Sequence, residues 1–526
     1  MQPSEAAAKP SMESRPSNTV RWLHRLTLLL LVAAGTVIRL LRLDQKPFWF
    51  DETFSVALAR MKWPSLLHLM WWREANMALY YFLLRMWLTF TPQHGQSEFF
   101  IRSLSVLFAA ATIPAMYWLA SLLYNRRVAL IATTLLAFNA YQVRYAQEAR
   151  AYALFLLLAT LSSGFLIAYM REPSRGRRVG YILTSILAVY AHFYALLLLV
   201  AQVLALRWLR PAQNDDPNDA QSDAAFPTQM RSAWKIIGIA VLPLLIFVAK
   251  TGAGPIRWIH RPGPHDLFAF AEHLSGGITW PLPVIYAAAC VIAIAPFAGQ
   301  LKARGQTWEV WRIQFLLMWL LFPVALTVVA SLIRPVFLPR YLIFCLPALL
   351  ILVAAGLDRL RHSWQLAVVL TGVLLLSAQG IFFVYDHDID AERDAAGAAT
   401  NFILDRAQPG DAIFFHIPQI RIPYEFFLSV RAGEDALREG SQAGPQILYP
   451  HYAASFDYRD FKGKLSPDFI RANAFNHPRV WVMLMYNGPK LPDPTNVMLT
   501  QTLPESFPKM ERWQFPQVEV RLYSKQ

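Results

Sequence analysis

The sequence predicts a mainly α, polytopic membrane protein of about eleven transmembrane helices that ends in a small α/β domain. Three observations carry that expectation: a shortage of charge, a series of span-length apolar runs, and a change of composition near residue 386. Only 16% of the 526 residues are charged while 55% are hydrophobic, against about a quarter charged in soluble domains. A helix needs about 20 mostly apolar residues to cross roughly 30 Å of hydrocarbon. Stretches such as 313–333 and 364–385 supply that length without an internal charge.

The net charge of +14 is unevenly spread. From Asp386 onward there are 15 basic and 18 acidic residues, which leaves 34 basic against 17 acidic before it. A basic excess confined to the apolar part reads as topology, because cytoplasmic loops collect Lys and Arg. It does not read as a nucleic-acid surface, since no basic stripe interleaved with aromatics stands outside that part. Cys290 and Cys345 both lie in apolar segments and read as small buried hydrophobes. The tail has no cysteine, so it carries neither a disulfide framework nor a thiolate metal site.

Residues 1–25 read as a cytoplasmic leader, polar through residue 20. The first apolar run, 26–41, follows Arg21, His24 and Arg25 and precedes no small-residue cleavage site, so it reads as a span rather than a signal peptide. Further spans are expected at 101–123, 128–142, 151–169, 180–191, 192–208, 235–250, 282–298, 313–333, 340–356 and 364–385. Alternation from a cytoplasmic start puts five connections inside. These hold Arg126-Arg127, the arginines at 171–178, the 207–235 segment, Lys302 to Arg312, and Arg359 with Arg361. All five are basic, as the positive-inside rule asks. An odd number of spans then sends the tail to the extracytoplasmic side.

Two loops stand out by length. The 214–225 stretch, rich in Asp, Asn, Ala and Gln, reads as a cytoplasmic linker. The first extracytoplasmic loop, 44–100, is instead full of Trp, Phe and Met, with amphipathic stretches at 53–60 and 79–88 suited to the membrane interface. The tail, 386–526, has helical spacing at 392–406 ended by Pro409-Gly410. Its segments 411–416, 480–485 and 518–523 have the apolar and β-branched density of strands. Neither a GxGxxG nor a GxxxxGK[ST] motif is present, which argues against a nucleotide cradle.

Candidate chemistry gathers at one predicted membrane face. Asp51 and Glu52 sit beside Phe48, Trp49, Phe50 and Phe54, where two adjacent carboxylates are costly to desolvate without a nearby cation. Arg39, Arg42 and Lys46 are the nearest candidates for that compensation. Helix capping by Asp51 ahead of 53–60 explains the doublet about as well. Glu74, later in the loop, offers a third carboxylate, or a surface pair with Arg73. Arg144, Glu148 and Arg150 fall at the outer ends of the third and fourth spans, and Arg340-Tyr341 opens the tenth. Ionisable groups at such depth are functional candidates, and arginine suits a phosphate. For Arg144 and Arg334, reaching to lipid headgroups is an equal reading. His192 breaks an apolar run without a second His or acid at helical spacing, so it reads as a bonded interior histidine.

The segments Trp-Phe-Asp-Glu at 49–52, Glu-Ala-Asn-Met-Ala-Leu-Tyr-Tyr at 74–81, Tyr-Ala-Gln-Glu-Ala-Arg-Ala-Tyr at 145–152 and Pro-Arg-Tyr at 339–341 together resemble the GT-C membrane glycosyltransferases. Among these, the bacterial relatives of the dolichyl-phosphate-mannose–protein mannosyltransferases are most similar, over about 26–385. The resemblance implies a GT-C transmembrane domain at 26–385 and sugar transfer from a polyprenyl-phosphate donor to an acceptor hydroxyl on protein, lipid or glycan. It implies Asp51 as general base, with Glu52 and Glu74 shaping the acceptor and the metal or donor surroundings. Arg150, Arg340 and Tyr341 would hold the donor phosphate, in a bacterial inner membrane. Met77-Ala78 stand where many relatives have prolines, which bears on acceptor choice. Asp51 and Glu52 could bind a divalent cation or act without one, so metal dependence stays open at this point.

A single displacement needs one base and no general acid, so the expected outcome is inversion at the anomeric carbon. A transporter or flippase of lipid-linked sugars is the alternative. It would share the arginines but should carry inverted repeats, and none is visible in the sequence.

Overall fold

The computed structural model describes residues 18–72, 74–90, 97–208, 220–251, 259–300, 307–387, 395–437, 441, 443–448, 466–485 and 494–525. Residues 1–17 of the expected leader lie outside the described residues, as do Arg73 and the first part of the 214–225 linker, while 18–25 already belong to the first helix. From residue 220 that linker is already helix, its Ala and Gln continuing into the next span.

Apolar runs become helices because only internally bonded backbone is tolerated in hydrocarbon. In chain order they are α1 (Asn18–Leu40), α2 (Phe50–Arg60), α3 (Trp63–Trp72), α4 (Ala78–Thr89), α5 (Glu98–Leu123), α6 (Arg126–Ala137), α7 (Ala140–Ala146) and α8 (Tyr152–Arg171). Then come α9 (Arg175–Ala191), α10 (Ala195–Trp208), α11 (Ala220–Thr251), α12 (Pro264–Ser275), α13 (Pro281–Ile294) and α14 (Trp308–Ile333). A 3₁₀ segment, Pro339–Cys345, leads into α15 (Leu346–Leu357), and α16 (Ser363–Asp386) closes the bundle.

A helix occupies every expected span, but among the described residues only seven are long and apolar enough to cross a membrane alone. The shortfall has a physical cause. The third expected span is broken between α6 and α7, where Asn139 accepts the Gln142 amide at 2.9 Å. Arg39 from α1 donates to the carbonyls of Ala137 (3.0 Å) and Leu136 (3.2 Å) that the break exposes. The fifth and sixth are separated at His192, which is extended between α9 and α10.

α5 packs on α1, α6 and α8, while α8 packs on α9, α10 on α14, and α13 on α15. The α13–α15 crossing is close enough that a Cβ on Gly356 would lie 1.9 Å from the Ala289 carbonyl oxygen. Small residues permit such backbone approach in membrane bundles. The two ends of the bundle differ in chemistry. At one, Arg127 pairs with Asp358 (3.1 Å) and Arg312 lies over Tyr124. At the other, Arg42 pairs with Asp386, and Lys46 donates to the carbonyls of Val384 and His387.

The C-terminal part forms a five-stranded sheet in the order β2-β1-β3-β5-β4, with β1 (Ala412–His416), β2 (Gln446–Ile447), β3 (Arg479–Met485), β4 (Lys509–Phe515) and β5 (Val518–Ser524). β1 is parallel to β2 and β3, and β5 is antiparallel to β3 and β4. The three expected strands are β1, β3 and β5. Buried Asp411 pins the first two together, accepting Arg479 through both oxygens (2.8 and 2.6 Å) and the Trp481 indole at 2.8 Å.

α17 (Ala396–Arg406) covers the sheet, with Phe402 4.8 Å from Trp513, and α18 (Arg421–Ala432) packs on α17. α19 (Pro467–Ala474) and α20 (Pro494–Thr502) pack on each other. α18 also reaches the membrane bundle: Phe426 meets Phe48 at 5.3 Å between ring centroids, and the Arg60 guanidinium lies 5.8 Å from the Phe426 ring.

Phe426 thus joins the sheet domain to Phe48, just before α2, and to Arg60 at the end of α2. Phe426→Ala should cost about 3 kcal/mol, the usual scale for a buried ring, and lower the thermal unfolding midpoint of the purified protein. Phe426→Leu should recover most of the loss.

Candidate active site

α2 begins at Phe50, with Trp49 as its extended N-cap residue and no side-chain cap. Asp51 and Glu52 thus lie inside the first turn, and the capping role does not apply. Carboxylates there still gain from the exposed amides at the helix start. Neighbouring helical residues point about 100° apart, so the doublet divides between two environments.

Glu52 is fully buried. The Arg102 guanidinium grips it as a fork, Nε to Oε1 at 2.8 Å and Nη2 to Oε2 at 2.7 Å, and the Ala149 amide donates to Oε1 at 2.8 Å. Arg102 also donates to the carbonyls of Leu43 (2.8 Å) and Lys46 (2.7 Å) and lies over the Phe48 ring at 4.6 Å. This pair ties α2, α5, the chain leaving α1 and the α7–α8 loop into one unit.

Asp51 turns the other way, its side chain 21% exposed. Its Oδ2 stands 3.5 Å from Arg150 Nη2 and 3.9 Å from Arg340 Nη2. Those separations exceed the 2.7–2.9 Å of a direct charge-assisted hydrogen bond, so the carboxylate is attracted by both guanidiniums and locked by neither. Arg150 is held by its Nη1, which donates to the Asp51 carbonyl and Ser55 Oγ, both at 3.3 Å.

Arg340 is delivered by an extended turn after α14. Ser331 Oγ accepts the amides of Val336 and Phe337 at 3.0 Å each, and the Tyr194 hydroxyl donates to the Val336 carbonyl. The Arg340 guanidinium lies 5.7 Å from the Trp49 ring and 6.0 Å from that of Tyr341. Tyr341 stacks in turn with Tyr152 (6.5 Å) and packs on His192 (4.7 Å) and Tyr194 (5.1 Å). Glu74 is half-buried, and its charge acts on the Tyr81 and Tyr341 hydroxyls, as does that of Asp51.

The structure therefore brings Asp51, Glu74, Arg150, Arg340 and Tyr341 to one centre and turns Glu52 away from it. The cations expected to compensate the doublet do otherwise. Arg39 donates to Gln142 and to helix-end carbonyls, Arg42 pairs with Asp386, and Lys46 binds carbonyls. Arg102, Arg150 and Arg340 neutralise the acids instead. Arg102 escaped notice because its partner is 50 residues away and it sits at the head of an apolar run. Arg144 faces Glu148 at 3.6 Å beside Arg42, Lys46 and Tyr385, in a separate polar cavity that Arg102 also lines. Arg334 is exposed.

Met77, which the resemblance sets against proline, has a backbone conformation that bears on that difference. Its φ of +66° is unavailable to proline, whose ring fixes φ near −65°. The turn from Glu74 into α4 follows a path that a proline at this position could not take.

A divalent ion shared by the doublet does not fit this donor set. Glu52 has both oxygens on Arg102, and Asp51 faces two guanidiniums. Among the described residues no three His, Cys, Asp or Glu could hold a metal.

No family model and no curated protein matches the sequence. Among solved structures, the chain is similar to ArnT from Cupriavidus metallidurans in the apo state, at TM-score 0.58 and 13% identity over 97% of this chain and 99% of that one. It is similar to ArnT from the same organism bound to undecaprenyl phosphate, at TM-score 0.57 and 13% identity over 96% and 98%. The archaeal oligosaccharyltransferase AglB from Archaeoglobus fulgidus, in complex with an inhibitory peptide and a dolichol-phosphate, is similar at TM-score 0.50 and 12% identity over 89% and 70%. At these identities the likeness is one of fold. The chain is an integral membrane protein with the GT-C glycosyltransferase fold, and the comparisons do not single out the protein-mannosyltransferase branch.

Breaking the buried pair tests its role in building the site. Arg102→Met should destabilise the protein by about 3–5 kcal/mol by leaving Glu52 buried and unpaired. Adding Glu52→Leu should restore much of that, as read by thermal unfolding.

Proposed function

We propose that the protein is an inverting glycosyltransferase that moves a sugar from a polyprenyl-phosphate donor to an acceptor hydroxyl on the extracytoplasmic side of a bacterial inner membrane. The observation that carries this reading is a single carboxylate, Asp51, standing 3.5 and 3.9 Å from two buried arginines. A base thus adjoins a cationic pair that an entering phosphate can engage. The fold shared with proteins solved with undecaprenyl phosphate and with a dolichol-phosphate supports it.

The chemistry follows from the arrangement. Arg150 and Arg340, with Tyr341 beside them, receive the donor phosphate and stabilise the charge that builds on it as the glycosidic C–O bond breaks. The acceptor oxygen attacks the anomeric carbon from the opposite face, and its proton passes to Asp51. The bond electrons leave with the phosphate oxygen, so no general acid is needed and the configuration inverts. Glu52 is a positioning residue that sets the rotation of α2 through Arg102. Glu74 bounds the acceptor side together with Tyr81. The acceptor hydroxyl belongs to a protein, lipid or glycan, and no step is routed through a metal ion.

A carrier of lipid-linked sugars would need the arginines but not the base. Asp51→Asn should lower sugar transfer from a radiolabelled polyprenyl-phosphate donor by at least about 10²-fold while leaving polyprenyl-phosphate binding intact. Full transfer by that variant would remove Asp51 from the mechanism. Product NMR from a donor of defined anomer should give the opposite configuration, and retention would exclude a single displacement.

A further inference from the structure

We propose that the Nε2–H of His192 and the hydroxyl of Tyr152 are neutral hydrogen-bond donors to the phosphate of the lipid-linked substrate. They would complete a cradle whose charged half is Arg150 and Arg340. The inference rests on the proposed reading that the arginine pair receives that phosphate.

His192 is 1% exposed. Its Nδ1 accepts the Tyr194 amide at 3.2 Å, so the proton of the neutral ring resides on Nε2. That Nε2 is buried and has no hydrogen-bond partner among the described residues. The ring cannot turn to find one, because it is stacked on Phe155 at 5.1 Å and packed on Tyr341 at 4.7 Å. The Tyr152 hydroxyl is equally buried and equally without a partner, its ring 6.2 Å from His192 and 6.5 Å from Tyr341. Arg150 Nε and the Trp49 indole N–H add two more buried donors in the same condition. Tyr152 follows Arg150 by two residues, and Tyr341, on which the His192 ring packs, follows Arg340 directly, so both groups stand beside the pair.

Protein interiors rarely leave such donors unmade, since each costs about 1–3 kcal/mol. Several gathered around two guanidiniums mark a place prepared for a ligand rich in acceptor oxygens. A phosphate has them, and an uncharged donor adds hydrogen bonds without adding a third cation that the two arginines would repel. The expectation of a bonded interior histidine holds for Nδ1 and fails for Nε2, which is the nitrogen left for substrate.

The test uses the full-length protein in detergent and measures affinity for undecaprenyl phosphate and for undecaprenol, which lacks the phosphate. His192→Phe and Tyr152→Phe keep the ring and remove the donor, and His192→Gln keeps an N–H. Each Phe variant should bind undecaprenyl phosphate about tenfold more weakly, with undecaprenol unchanged and His192→Gln close to wild type. Unaltered affinity for undecaprenyl phosphate in both Phe variants would overturn the proposal, as would an equal loss for undecaprenol. Failure of the wild type to bind undecaprenyl phosphate would overturn the phosphate reading of the arginines as well.

Discussion

A carboxylate and a guanidinium with almost no access to water, Glu52 and Arg102, set the geometry on which the candidate site rests. Neither tolerates the loss of the other, because an uncompensated charge in so dry a place costs several kcal/mol. Arg102 also donates to the carbonyls of Leu43 and Lys46 and faces Glu98 at 3.4 Å, and Glu52 takes the Ala149 amide. The pair therefore fixes four chain segments at once. Since Asp51 precedes Glu52 on the same helix and Arg150 follows Ala149 in the same loop, fixing Glu52 and Ala149 also places Asp51 and Arg150. The distance between Asp51 and Arg150 thus depends on the Glu52–Arg102 contact as well as on the bond from Arg150 Nη1 to the Asp51 carbonyl.

The same economy appears in the helix breaks. A helix interrupted near hydrocarbon exposes backbone groups that must be satisfied, and here side chains satisfy them. Asn139 and Arg39 repair the break after α6, and Ser331 repairs the turn after α14. At His192 the ring nitrogen takes the Tyr194 amide. The last two repairs lie beside the site, where the chain must leave the helix to present Arg340 and Tyr341. Polarity in these spans serves the backbone first, and Arg340 follows three residues after the Phe337 amide that Ser331 holds.

Much of this was legible in the sequence, and the misses share a cause. Apolar run length located every span helix, and the density of β-branched residues located β1, β3 and β5. β4 was hidden because an edge strand exposed to water, with Lys509, Glu511 and Arg512, carries no apolar run. The site residues were found as oddities, charged groups in apolar context. Their pairing was not, because it is a property of distance in space: Arg102 lies 50 positions from Glu52, and Arg340 further still from Asp51. Reading proximity along the chain assigned the doublet to Arg39, Arg42 and Lys46, each of which has other partners. The helix-cap alternative failed for a local reason, a helix that starts one residue before Asp51.

Charge balance gives a reason for one base and two arginines in the proposed reaction. A sugar joined to polyprenyl phosphate is a phosphodiester with a single negative charge. With that donor bound, the two guanidiniums are matched by the diester and by ionised Asp51. After transfer the phosphate is a monoester approaching two negative charges, while Asp51 has gained the acceptor's proton and become neutral. The two guanidiniums are matched again. Net charge in the buried centre is thus near zero at both ends of the step, and only its distribution moves, from carboxylate to phosphate. A further ionised carboxylate facing the two guanidiniums would spoil that balance, which is a physical reason for Glu52 to be turned away and paired with Arg102. Neutral donors such as His192 and Tyr152 fit the same account, because they strengthen the hold on phosphate without altering the sum.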